Sequence, residues 1–475
     1  MIFNSLSFLM FFPIVTLAYF TLPRRVRPAW LLAASYYFYM CWNARYAMLI
    51  AGSTLITYGC GLLIERADAR LIKRLIMAAG LGSNLAILGF FKYYGFFTDV
   101  LGRVLALAGI SLHVPAFDVL LPVGISFYTF QALGYMLDVY FGKIRAERSL
   151  LRYALFVSFF PQLVAGPIER SENLLRQVNE EHRFSFRAAR DGVLIMMLGF
   201  FEKLVIADRA SMYVNAVYDN WHAAAGWQIL LATVVFAFQI YGDFSGYSHI
   251  AIGAAKILGF DLMDNFRQPY FASSVRDFWR RWHISLSTWF RDYLYIPLGG
   301  SRCGHVRRMT NLMITFLVSG LWHGASLSFV VWGGLNGALQ VLEGLLPKPA
   351  KKAGGVRRVC KTLCTFVLID LTWLFFRANA ASTAVRMLLR CVKSFDAAAY
   401  ATGFSAAQAA ALTVGIAVLL AIDMIHERGK TLTAWLDRRN LVMRGALMLL
   451  AILAIVVFGV WGPGYDAQAF IYFQF

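Results

Sequence analysis

The feature that most limits what this chain can fold into is a succession of apolar runs, divided by short loops rich in lysine and arginine. Backbone N–H and C=O groups inside a bilayer find no water, so only helices and closed barrels can cross one. Barrel strands alternate polar and apolar residues, whereas these runs are continuous. The sequence therefore predicts an all-α polytopic membrane protein: one bundle of roughly ten to twelve membrane helices, at about twenty apolar residues each, with interfacial helices beside them. Composition agrees. Of 475 residues, 59% are hydrophobic and 15% charged, where a soluble domain carries about 25% charge.

A formal net charge of +19 would point to nucleic acid in a soluble protein. Here the basic residues sit in loops between apolar runs, with no long basic tail or base-stacking module. That is the positive-inside pattern, and it argues against a nucleic-acid partner. Loops at 23–27, 65–74, 347–358 and 426–444 read as cytoplasmic, which leaves both termini outside. The opening run, 2–22, has no basic stretch before it and no small-residue cleavage pattern, so it is expected to stay as a first helix. Residues 309–346 are long enough for two helices, with the break expected at Gly333-Gly334. The expected division is one membrane domain, 1–460, and an aromatic tail, 461–475. The six cysteines form no CxxC or metal-ligand array, and Cys360 and Cys364 read as apolar filling.

The residues that could do chemistry concentrate in 276–323. His323 lies in GLWHGAS, deep in an apolar run. A buried imidazole must find a partner or bear a desolvation cost, and an ionisable side chain inside a membrane bundle is a functional candidate. Neutral histidine is suited to taking a proton from a hydroxyl; a structural histidine bonded between helices fits the same residues. Gly320 and Gly324, one turn apart, leave room for another backbone or a slim ligand.

Upstream, RDFWRRWHISLSTWFRDYLYIPLGG reads as an amphipathic helix. At about 100° per residue, Arg276, Arg280, His283, Ser287 and Arg291 fall within roughly 80° of arc. Phe278, Trp279, Trp282, Leu286, Trp289 and Tyr293 lie opposite. Such a helix suits an interface. Its arginine face fits a lipid headgroup or a phosphorylated substrate, since guanidinium pairs with phosphate in bidentate fashion.

Together with GLWHG, that stretch resembles the membrane-bound O-acyltransferase family, and within it the bacterial alginate O-acetyltransferase branch. LPVGISFYTFQALGYMLDVY (121–140), FPQLVAGPIER (160–170), FQIYGDFSGYSHIAIG (238–253) and WLFFRA (373–378) match further, in the family's order. The resemblance implies a helical bundle around a central tunnel in a bacterial inner membrane. It implies His323 as the catalytic histidine and His283 as a second active-site polar residue. The implied donor is an acyl thioester, acetyl-CoA, presented from the cytoplasm with its anionic groups near Arg276, Arg280 and Arg281. A separate extracytoplasmic transferase would then place the acetyl group on a polysaccharide hydroxyl. Gly242 and His249 stand where relatives often carry other residues; His249 reads as a helix-end histidine. Asp243 and Ser245 either line the tunnel or satisfy backbone groups.

The chain ends GYDAQAFIYFQF, with Phe470, Tyr472, Phe473 and Phe475. Aromatic residues alone suit an interfacial anchor. Similar tails recur in this branch, and from them the tail is expected to fold back into the outer funnel, with the Tyr472 hydroxyl accepting the acyl group. Two rival functions stay open: D-alanyl transfer to teichoic acid by the same fold, and polysaccharide export without chemistry, since intramembrane polar groups and broken spans also suit transporters.

Overall fold

The computed structural model describes residues 1–109, 122–346, 354–396 and 398–460. Among them every regular element is helical, as the continuous apolar runs require. Among the described residues, six helices are long and apolar enough to cross a membrane: Ala44–Arg66, Arg70–Leu107, Gly226–Ile257, Gly355–Arg377, Ala406–Glu427 and Leu441–Phe458. Burial sorts them. Gly226–Ile257 is 72% buried and forms the centre, whereas Leu441–Phe458 is 6% buried and turns its leucine, isoleucine and valine side chains outward. The central helix, at 32 residues, is roughly 48 Å long. That exceeds a hydrocarbon core of about 30 Å.

Small residues let the backbone of Phe186–Phe200 approach this central helix. A Cβ added at Gly199 would stand 2.5 Å from the Gly246 carbonyl oxygen, and one at Gly253 would stand 2.4 Å from that of Gly192. Side chains larger than hydrogen would push the helices apart. The polar groups of the central helix are mostly spoken for by structure. Asp243 accepts from Lys203 at 2.6 Å, and Lys203 also meets Asp208 at 2.8 Å. The Ser245 hydroxyl donates to the Tyr241 carbonyl at 2.7 Å. His249 is not at a helix end. It lies inside Gly226–Ile257, with Nδ1 2.7 Å from Glu202.

Among the described residues four turns have π geometry: Gly89–Tyr93, Ser171–Leu175, Phe201–Ala207 and Arg291–Tyr295. Such a turn reorients the side chains on either side of it and is often found at functional sites. Phe201–Ala207 supplies Glu202 and Lys203 to the contacts just described. Asp138 links two of the matched stretches, its own and that of Tyr293, and also reaches Ser171, just after a third. It accepts from Tyr293 at 2.7 Å and from Lys143 at 3.1 Å, and the Ser171 hydroxyl also donates to it. Arg170 pairs with Asp292 at 3.0 Å across the same junction.

Residues 309–346 do form two helices, but the break falls elsewhere. His305–His323 ends at the histidine, Gly324 is extended, and Leu327–Leu345 begins after Ser326, whose hydroxyl accepts from the Ser328 N–H at 3.2 Å. Gly333 is instead the contact between the two helices. A Cβ there would lie 2.3 Å from the Phe316 carbonyl oxygen, and a Cβ at Gly320 would lie 2.3 Å from that of Phe329. Gly320→Ala and Gly333→Ala are each expected to cost roughly 1–3 kcal/mol by overpacking. Thermal unfolding of the purified variants in detergent checks this, and wild-type melting temperatures would contradict the contact.

Candidate active site

His323 is the last residue of its helix, so its backbone carbonyl and those just before it lack the usual partner one turn on. The Gly89–Tyr93 turn supplies that partner. The Tyr93 hydroxyl donates to the Leu321 carbonyl at 2.6 Å, and the Lys92 ammonium donates to the carbonyls of Trp322 at 2.6 Å and His323 at 3.1 Å. A cation at a helix C-terminus also complements the helix dipole. The imidazole sits in an aromatic enclosure. Trp332 meets it edge-on at 4.9 Å between centroids, Trp322 lies at 5.0 Å, and Phe376 from the 373–378 stretch lies at 5.5 Å. Trp373 stacks on Trp332 behind them.

His283 is buried and is not on the face of a continuous amphipathic helix. The helix expected across 276–293 is broken into Val275–Arg281 and Ile284–Phe290, and His283 takes the left-handed conformation between them, φ 45°, ψ 54°. A non-glycine residue there is held against its own preference, a cost of order 1–3 kcal/mol that tends to appear at functional positions. Asn265 does the holding. Its backbone carbonyl accepts from the Ile284 N–H at 2.9 Å. Its side-chain oxygen accepts from the Ser285 hydroxyl at 2.6 Å and lies 3.3 Å from His283 Nδ1. Its amide nitrogen donates to Ser248 at 3.0 Å.

This network puts the ring hydrogen of His283 on Nδ1 and the lone pair on Nε2. Burial pushes the His283 imidazole down to about 3, so it is neutral at physiological pH. Phe244 packs perpendicular to it at 4.5 Å. The ring centroids of His283 and His323 are 6.4 Å apart. Asn265→Ala is expected to lower unfolding stability by roughly 1–3 kcal/mol, because buried partners lose their bond. Urea or thermal titration checks this, and an unchanged midpoint would show the network to be dispensable.

The arginines divide. Arg276, Arg280, Arg291 and Arg308 line one cavity of about 470 Å³, together with Trp279, Ser287 and Ser319. Ser319 is one helical turn before His323, although neither histidine lines this cavity itself. The guanidinium groups of Arg276, Arg280 and Arg308 make no ion pair among the described residues; Arg291 meets Asp292 at 2.7 Å. Arg281 points elsewhere and bonds Asp277 at 3.0 Å and Glu427 at 2.6 Å, with Arg358 on the other oxygen of Glu427. It ties the His283 segment to the Ala406–Glu427 span. Tyr472 lies outside the described residues.

Lys92, Tyr93, Asn265 and Arg308 were not singled out by sequence reasoning. The signal for Lys92 was present, as a lone cation in the apolar run GFFKYYGFF.

The sequence pattern of the membrane-bound O-acyltransferase (MBOAT) family matches residues 143–352, a span that includes Asn265, His283 and His323. Over 393 residues the chain is 40% identical to the "Probable alginate O-acetylase AlgI" of Pseudomonas putida, covering 82% of this chain and 79% of that protein. The chain belongs to the MBOAT family. It is 35% identical over 421 residues to the peptidoglycan O-acetyltransferase of Helicobacter pylori, covering 82% of this chain and 79% of that one. To the teichoic acid D-alanyltransferase of Bacillus subtilis it is 26% identical over 260 residues, half of this chain and 63% of the other. This MBOAT protein is a membrane-embedded, multi-pass acyltransferase.

Proposed function

We propose that this MBOAT protein takes an acetyl group from acetyl-CoA on the cytoplasmic side of a bacterial inner membrane and hands it outward for O-acetylation of a cell-envelope polysaccharide. A separate extracytoplasmic transferase completes the reaction on alginate, peptidoglycan or another exopolysaccharide. The observation that carries this reading is the pair of buried histidines, 6.4 Å apart, with an arginine-lined cavity ending one helical turn from His323. The basic loops, read by the positive-inside rule, support an outward position for both termini.

In this mechanism Arg276, Arg280 and Arg308 meet the phosphates of the donor. His323 removes the proton of the accepting hydroxyl as its oxygen attacks the thioester carbonyl. The C–S bond breaks, a C–O bond forms, and the proton passes from His323 to the leaving thiolate. His283, neutral and with its lone pair on Nε2, positions the donor by accepting a hydrogen bond from it. Arg281, already engaged by two carboxylates, supports this wall of the site. The first acceptor is the hydroxyl of Tyr472 in the aromatic tail, which then presents the acetyl group to the partner.

Acetyl transfer is favoured over D-alanyl transfer by the greater identity to the alginate and peptidoglycan relatives than to the teichoic acid relative. Radiolabelled acetyl-CoA supplied to purified wild type, His323→Ala and Tyr472→Phe tests the reading. Label retained on wild type and lost in both variants supports the relay. Label surviving in Tyr472→Phe removes the tyrosine step and keeps the acetyltransferase. A wild type that neither retains label nor cleaves the thioester in the presence of acceptor overturns the acetyl reading in favour of the D-alanyl one.

A further inference from the structure

We propose that Lys92, with Tyr93 beside it, is a positioning residue for the acyl transfer: it clamps the open end of the helix that carries His323 and so holds the imidazole in register. The inference rests on the reading of His323 as the base.

Three successive carbonyls, Leu321, Trp322 and His323, are bonded by two successive side chains from another membrane span. Gly324 continues in extended conformation, so no further helical turn is present to receive those carbonyls. A Lys92 ammonium bonded to two carbonyls also reaches towards the Ser126 hydroxyl, 3.5 Å away, at the start of the Ile125–Tyr140 helix. One cation therefore joins three elements at the residue that must meet the substrate. It lies over the Trp322 ring as well, at 5.6 Å.

Lys92 and Tyr93 both lie in the Gly89–Tyr93 π turn. They are neighbours in sequence, and in a regular helix they would point about 100° apart. Both nevertheless reach the end of the His323 helix, Lys92 on its long flexible stem and Tyr93 through its ring hydroxyl. A side chain with four methylenes and an ammonium inside an apolar span is costly unless it is bonded. Its carbonyl contacts account for its presence there, and they fall on the backbone of the proposed base.

Displacing a reacting group by about 1 Å can cost roughly 100-fold in rate. Loosening this helix end should therefore appear in turnover. Neither Lys92 nor Tyr93 lines the arginine cavity, so donor binding should be spared. The test measures kcat and KM for acetyl-CoA cleavage, read as release of the CoA thiol, on full-length protein in nanodiscs. The variants are Lys92→Met, Lys92→Arg, Tyr93→Phe and His323→Ala, each first checked for a single monodisperse species.

Lys92→Met is expected to lower kcat by roughly 10- to 100-fold with KM within about twofold, and Lys92→Arg to recover most of that loss. Tyr93→Phe, which removes one bond and keeps the cation, should lower kcat by about threefold to tenfold and serves if Lys92→Met does not fold. Wild-type kcat in Lys92→Met, a loss carried by KM, or Lys92→Arg no better than Lys92→Met would each overturn the positioning role. Wild-type kcat in His323→Ala would instead overturn the base assignment, and a wild type inert towards acetyl-CoA would overturn the proposed function, so the three failures are distinguishable.

Discussion

His323→Ala should lower acyl transfer by roughly 100- to 10,000-fold, the usual contribution of a positioned general base. Thioester cleavage should fall with it. Retention of the acyl-CoA donor should not, because the arginine cavity ends a helical turn away. The enclosing rings make the variant informative. With Trp332, Trp322 and Phe376 around the vacated space, alanine leaves an apolar hollow that cannot relay a proton. A polysaccharide exporter without chemistry predicts the opposite, namely transport that persists without the imidazole. Transport surviving in His323→Ala, with no acetylated product ever detected, would falsify the enzymatic reading.

Arg276→Gln combined with Arg280→Gln is expected to raise KM for acetyl-CoA by roughly 100-fold, about tenfold for each charge-assisted phosphate bond lost, and to leave kcat within a few fold. These guanidinium groups face one cavity without an ion pair among the described residues. Increasing salt should weaken donor binding in wild type and matter less in the double variant. Arg281→Gln separates this idea from a general effect of basic charge. Its guanidinium is held by Asp277 and Glu427, so its loss should lower thermal stability and shift KM little. A large KM effect in Arg281→Gln, with none in the pair, would reverse the assignment of phosphate contacts.

How far the sequence could be read depended on what kind of signal each feature leaves. Apolar run length is a property of the chain alone, and it predicted the all-α membrane class and the central span around 227–250, which extends to Gly226–Ile257. His323 stood out as a candidate because it is a lone ionisable residue in an apolar run, and the structure buries it. The periodicity across 276–293 was misleading: the arginine and tryptophan faces continue in sequence through a point where the backbone turns left-handed. Nothing local marks that turn, since what holds His283 there is Asn265, eighteen residues earlier. The hairpin break was misplaced for a related reason. A glycine pair suggests a bend, but Gly333 is needed as a flat surface against the Phe316 carbonyl, and the chain turns where Ser326 can cap the next helix. His249 looked like a helix end only because Glu202, its partner, is remote in sequence.

The π turns carry a consequence for how this chain can be cut and rejoined. In a loop, one residue more or less changes little. In Gly89–Tyr93 the residue count sets which side chains meet the His323 helix. Deleting a single apolar residue there would restore regular helical spacing, yet rotate the remainder of the span by about 100° and shift it by about 1.5 Å. Every hydrophobic side chain would still be hydrophobic, and the helix would still be long enough to cross a bilayer. Lys92 and Tyr93 would nevertheless no longer meet the end of the His323 helix. The same holds for Phe201–Ala207, where Glu202 and Lys203 would lose His249 and Asp243. Chimeras and tag insertions are therefore best joined in the basic loops, because in these spans length is part of the code.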